Sequence, residues 1–227
     1  MSNTIRNNKD SVTLIASDLN GTLTTGSPVL AVHRWLEINQ PESCPPLFKV
    51  RIMLSYLQVK VGLKKIDTWG NEAMSGVLAL VQNPDPGLLD ALMDFVVEDE
   101  LWPKRKSEPI ALVRKALDKG ADLYVISAAY QPAVEKFSQK IAQERTYGIG
   151  TAVTITAEGL RLTGPFNSRE RKLTSLLEVI GSRPIDTALG DTFADIPLLE
   201  NAENKIVVNP DRKLKTKARE LGWLIID

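Results

Sequence analysis

From Ile110 onward the chain alternates short apolar runs of strand length with segments of helical spacing, and that alternation predicts a parallel sheet. Helices are expected over residues 110–119, closed by Gly120, from Pro132, and over 169–180, 193–199 and 213–221. Strands are expected over 123–127, 147–149, 187–189 and 205–208, with a further edge strand over 223–226. Residues 151–155 and 160–162, separated by Ala157-Glu158-Gly159, predict a hairpin. One more strand stands far upstream: Val12-Thr13-Leu14-Ile15-Ala16-Ser17 is a β-branched apolar run that stops at Asp18 and the turn-forming Asn20-Gly21.

Between that first strand and the rest, the period changes to helical. Leu30, Val32, Trp35 and Leu36 begin a series that runs through Ile52, Leu54 and Leu57, Met74 and Val77, and Leu88, Leu92 and Phe95. Breaks at Pro45-Pro46 and Asn83-Pro84-Asp85-Pro86 divide it into several helices. The expected fold class is therefore α/β, a doubly wound parallel sheet interrupted once by an all-helical insert. The expected division is an N-terminal tail over 1–10, a core over 11–27 and 103–227, and a helical cap over 28–102.

With 227 residues, 43% of them hydrophobic, the chain can bury a substantial core. Its 28 basic and 28 acidic residues cancel, which gives no overall attraction for nucleic acid or an anionic membrane but leaves room for a local basic patch. Cys44 is the only cysteine, so an internal disulfide and a thiolate metal cage are both excluded, and a reducing cytoplasm is the expected compartment. The first ten residues lack the apolar run of a secretion signal, and no apolar stretch approaches the roughly 20 residues a spanning helix needs.

Open parallel sheets collect ligands at the carboxyl ends of their strands, so polar residues next to the apolar runs are the ones to inspect. In Asp18-Leu19-Asn20-Gly21-Thr22 a carboxylate at a strand end precedes a tight turn that leaves amides free for an anion. The same residues also suit a plain turn, with Asp18 as a helix cap. Ser127 follows a strand and precedes Ala128-Ala129, a place for a phosphate oxygen or an ordinary helix N-cap. Lys172 lies near an expected helix start, where the macrodipole gives it no support, although a solvated surface lysine would fit too. Asp191 and Asp195, four residues apart after a strand, place two carboxylates on one face, as magnesium or a capped helix start would require.

As an ordered set, Asp-x-x-Gly-Thr, then Ser, then Lys, then Gly-Asp-x-x-x-Asp resembles the haloacid dehalogenase superfamily from Val12 to the C-terminus. The insert lies where that superfamily places its type 1 cap, and Ile126-Ser127-Ala128-Ala129 and Val207-Val208-Asn209-Pro210-Asp211 are similar to its phosphoserine phosphatase branch. The resemblance implies a Rossmann-like core and a Mg²⁺-dependent enzyme for a small phosphorylated metabolite, working through an aspartyl-phosphate. Asp18 would be the nucleophile and Lys172 would neutralise charge beside it. Leu19, Gly21, Thr22, Ser127, Ala128 and Lys172 would hold phosphate. Asp18, the Asn20 carbonyl and Asp191 would bind magnesium, with Asp195 in its outer shell.

Two positions depart from that pattern. The family carries aspartate two residues after the nucleophile, as acid and base for the leaving group and water; Asn20 can hydrogen-bond but cannot move that proton. The expected activity is therefore impaired or trapped, and the alternative is a non-catalytic phosphate-ester-binding or regulatory protein. A carbon–halogen hydrolase is disfavoured, because the Asp191/Asp195 pair implies a metal. Ser27 stands where a phosphoserine phosphatase would offer a glutamate for the substrate amino group. His33, beside Arg34 and Trp35, is expected at a surface or interface rather than as a substitute acid. Arg51, Lys60, Trp69 and Glu72 are cap residues of interest by location alone.

Overall fold

The computed structural model describes residues 12–227; the expected tail over 1–10 lies outside the described residues. Seven strands form one sheet in the order β4-β3-β2-β1-β5-β6-β7. They are β1 (Leu14–Asp18), β2 (Asp122–Tyr130), β3 (Thr146–Thr156), β4 (Gly159–Thr163), β5 (Ile185–Gly190), β6 (Ala202–Val208) and β7 (Leu224–Ile226). All neighbouring pairs are parallel except β3 and β4.

Strand β1 is buried along its whole length, which is why it reads as an unbroken apolar run. Its two faces feed different cores. Ile15 joins the cluster that contains Leu123, Val125, Val134 and Phe137, while Leu14 and Ala16 join Leu176, Leu198 and Leu199 on the other side. Helices therefore cover both faces. The chain proceeds from β1 to β2 on one side and later returns to β5 on the other, so the sheet's switch point opens beside β1.

Between β1 and β2 lie α1 (Pro28–Asn39), α2 (Phe48–Lys60), α3 (Ile66–Leu78), α4 (Pro86–Phe95) and α5 (Ser107–Leu117). Side chains cap two of them: Ser27 accepts from the Leu30 amide and Asp85 from the Leu88 amide, each followed by a proline that starts the first turn. Residues 96–101 continue α4 in a wider, π-type turn. Lys136 on α6 (Gln131–Ile141) binds Asp90 and Asp94 of α4 at 2.8 and 2.7 Å. Leu36, Val77, Leu92 and Val96 share the Ile15 core cluster. The α3 helix reaches the sheet through the Tyr130 hydroxyl, which donates to the Met74 carbonyl at 3.3 Å.

Residues 147–149 and 151–155 are not two strands but one, β3. Its first part pairs with β2 and its second with β4, and its glycines serve close packing rather than a break. A Cβ at Gly148 would lie 2.5 Å from the Glu135 amide nitrogen, and one at Gly150 2.6 Å from the Gln131 Cα, so α6 sits directly on this backbone. The segment after β5 also differs from a single helix: a 3₁₀ turn over Phe193–Asp195 precedes α8 (Ile196–Glu200). The remaining helices are α7 (Glu170–Ile180) and α9 (Arg212–Glu220), close to the expected bounds.

His33 is a correction, being buried at 3% exposure rather than lying at the surface. It stacks on Phe48 at 4.6 Å, and its Nε2 lies 3.2 Å from Cys44 Sγ. Among the described residues no helix is long and apolar enough to cross a membrane.

Candidate active site

Asp18 is the last residue of β1, and its side chain is buried at the carboxyl edge of the sheet. Lys172, brought in by the first turn of α7, donates to Asp18 Oδ1 at 2.6 Å and to Asp195 Oδ1 at 2.7 Å. This ammonium is buried, not the solvated surface lysine that its position also allowed. Burial alone would lower its pKa, but the charges of Asp18 and Asp195 outweigh that and hold it above the ordinary lysine range. Asn167 fixes the approach of α7, donating to the carbonyls of Ser127 and Ile149 at 3.1 Å and accepting from Ser175 at 2.9 Å.

Asp195 has both oxygens engaged. Its Oδ2 accepts from the amides of Asp191 and Thr192 and from the Thr192 hydroxyl at 3.0–3.2 Å, a capping box that closes the 3₁₀ turn. These donors and Lys172 hold its carboxyl below the usual range despite burial. Asp195 is thus an orienter of Lys172, and a cation could reach it only at a distance. Asp191 is different. Burial, and then the charges of Asp18 and Asp195, push its carboxyl up to about 8. The Thr22 hydroxyl lies 3.0 Å from Asp18 Oδ2 and 3.1 Å from Asp191 Oδ1, and a single hydroxyl proton cannot serve two carboxylates.

Oxygen atoms of Asp18, Asp191 and Asp195 lie within 4.8 Å of one another. Gly21, at φ +98°, is the only residue type that fits here, because a Cβ would collide with the Asp191 carboxylate. Three acidic groups so crowded, one of them with its carboxyl pushed well above the usual range, fit a hard divalent cation bound through oxygen.

The other expected residues gather around this centre. Leu19 buries its side chain in the core, while the Leu19 and Asn20 amides meet no acceptor among the described residues and remain available to an anion. The Gly21 amide, expected to help, instead donates to the Thr24 carbonyl at 2.7 Å. Ser127 does not cap a helix, because β2 continues to Tyr130. Its hydroxyl donates to Asn20 Oδ1 at 3.1 Å and accepts from the Ala129 amide at 3.1 Å. Ala128 stays in the strand, its carbonyl taken by Thr151. Asn20 Nδ2 donates to the Gly26 carbonyl at 2.9 Å, so the carboxamide clips the turn shut.

Lys106 was not expected. It precedes α5 and places its ammonium on the Gly21 carbonyl, within the fields of Asp191 and Asp18. Burial lowers its pKa. The basic run Lys104-Arg105-Lys106 directly after the insert was its only trace in the sequence.

A family model described as haloacid dehalogenase-like hydrolase matches residues 15–200, which contain every residue of this cluster. The chain belongs to that family. Among relatives of this hydrolase, the phosphoserine phosphatase SerB1 of Mycobacterium tuberculosis is 24% identical over 228 residues, covering 92% of this chain and 69% of its own. A Bordetella pertussis protein of unknown function superposes with a TM-score of 0.76 at 20% identity, covering 96% and 99% of the two chains. A phosphoserine phosphatase solved as an analogue of its phospho-aspartyl intermediate superposes at 0.60 and 16% identity, covering 95% and 93%. Enzymes of the family typically use a divalent metal, and the three-aspartate cluster is the donor set this chain offers for one.

Proposed function

We propose that this hydrolase cleaves small phosphate monoesters with Asp18 as nucleophile, Mg²⁺ as cofactor and Asn20 limiting turnover. The observation that carries the reading is the buried Asp18–Lys172–Asp195 chain beside an under-compensated Asp191 at the switch point of the sheet.

Asp18, Asp191 and the Asn20 carbonyl would hold the cation, whose chemistry is to cancel phosphate charge that would otherwise repel Asp18. Burial pushes the Asp18 carboxyl up, Lys172 opposes that shift, and its ammonium faces the incoming phosphoryl oxygens. The free amides of Leu19 and Asn20 hold further oxygens. The Asp18 carboxylate attacks phosphorus, the ester P–O bond breaks, and the leaving oxygen must take its proton from water. Water then cleaves phospho-Asp18, again without a protein base. Both steps lack the acid or base that typically supplies about 10² to 10⁴ in rate. The helices of residues 28–102 act as the cap.

Ser27 caps α1, and the nearby Glu100 already accepts from the Ser27 amide and pairs with Lys104. The Glu100 carboxylate is thus already engaged, and phosphoserine itself is not assigned. A second reading, a binding protein that keeps the phosphate cradle, draws on one observation: both ends of the Asn20 carboxamide serve the fold. Steady-state phosphate release from acetyl phosphate and an aryl phosphate separates the two. Mg²⁺-dependent release that Asp18→Ala abolishes supports the enzyme; Mg²⁺-dependent phosphate binding without release supports the binder.

A further inference from the structure

Helix α2 is apolar on two opposite faces. Phe48, Ile52, Ser55 and Val59 turn toward the rest of the protein and are buried or half-buried. Val50, Met53, Leu54 and Leu57, with Val61 just past the helix end, fall within an arc of about 100° on the far side, and all five are exposed. Leu47, just before the helix, and Leu63, in the turn after it, are also exposed, at 70% and 81%. Scattered apolar residues are normal on a protein surface, but a continuous stripe along one helix is an interaction surface.

The flanks identify the partner. Arg51 lies on one side of the stripe, and Lys49 and Lys60 on the other, all three exposed. Residues 48–65 carry Lys49, Arg51, Lys60, Lys64 and Lys65 with no Asp or Glu. Lys64 is engaged with Glu72 and Lys49 with Glu37, which leaves Arg51, Lys60 and Lys65 without a carboxylate partner among the described residues. A second copy docking through this stripe would bring the same cations against each other. An anionic lipid surface instead takes the apolar stripe into its acyl boundary and the flanking cations into its headgroups. We propose that α2 is a membrane-surface docking helix for anionic bilayers. The balanced charge of the whole chain conceals this, because the acidic residues lie elsewhere. Docking there is independent of the phosphatase reading.

The test is co-sedimentation of the full chain with vesicles of equal parts phosphatidylcholine and phosphatidylglycerol, against pure phosphatidylcholine. The expected result is binding to the mixed vesicles that falls at least about tenfold on pure phosphatidylcholine and in high salt. Leu54→Asp/Leu57→Asp, both at exposed positions, lowers it by more than about tenfold while the unfolding temperature stays unchanged. Absence of binding to the mixed vesicles would overturn the proposal, as would equal binding by the double variant. So would a dimer in solution that the same double variant dissociates, since the stripe would then belong to a second copy.

Discussion

The Asn20 carboxamide donates to the Gly26 carbonyl and accepts from Ser127, so replacing it with aspartate changes two things at once. Asn20→Asp restores a proton carrier and should raise turnover of alkyl phosphates by about 10² to 10⁴, measured as steady-state phosphate release. It also sets a carboxylate oxygen against a carbonyl, and near pH 7 should cost about 1–3 kcal/mol in urea unfolding. Lys172→Met leaves two buried carboxylates without their cation and should lose activity together with about 3–5 kcal/mol of stability. Asp191 sets a pH dependence. Its carboxyl is pushed up to about 8 in the folded metal-free protein from a reference value of 3.8. Across that window the unfolded chain releases a proton that the folded chain retains, so stability falls as pH rises and the loss is complete above about pH 8. A divalent cation must displace this proton, so apparent Mg²⁺ affinity, followed by thermal shift, should rise about tenfold per pH unit up to about pH 8. A pH-independent affinity would contradict this. Asp18 and Asp191 were legible because each lies at the carboxyl end of an apolar run, and Asp195 because it stands four residues, about one helical turn, from Asp191. Lys106 was not, because nothing in its spacing distinguishes it from its basic neighbours.

Among the elements, β3 shows most plainly how local signals mislead. Gly150 falls between the expected strands over 147–149 and 151–155, yet Gly148 and Gly150 together hold one strand against the backbone of α6. Gly148→Ala should therefore cost about 1–3 kcal/mol or more, because a methyl there meets main chain that cannot yield, and chemical denaturation reads the loss directly. Ser127 was legible as a polar residue at a strand, but not as an interior strand position, because β2 runs three residues further, to Tyr130. Helix α2 was legible as a helix. Its bare outer face was hidden because an apolar inner face and an apolar outer face look alike in sequence.

At the scale of the whole molecule, the insert is not uniformly attached. The α1 and α4 helices share the core cluster with Ile15, and ion pairs fasten α4 to α6, whereas α2 contributes only Phe48 to the buried core. Calorimetry should therefore give one unfolding transition, with amides of α2 exchanging faster than those of α1 and α4; two separated transitions would contradict it. The alternating pattern of sequence made the doubly wound sheet and the helical insert legible, because burial on both faces of β1 and on one stripe of each helix imposes those periods. The unequal attachment of the insert depends on pairs such as Lys136 with Asp90 and Asp94, 42 or more residues apart, and no local period encodes them.

The central claim is that Asp18 accepts phosphate and that Asn20 slows its release. Its most direct test is intact-protein mass after mixing with Mg²⁺ and acetyl phosphate and quenching in acid. One phosphoryl group should remain on this chain, located at Asp18, be absent from Asp18→Ala, and pass quickly to water in Asn20→Asp. Phosphate release that proceeds with no phosphoryl mass at any time, or that survives Asp18→Ala, would contradict the account.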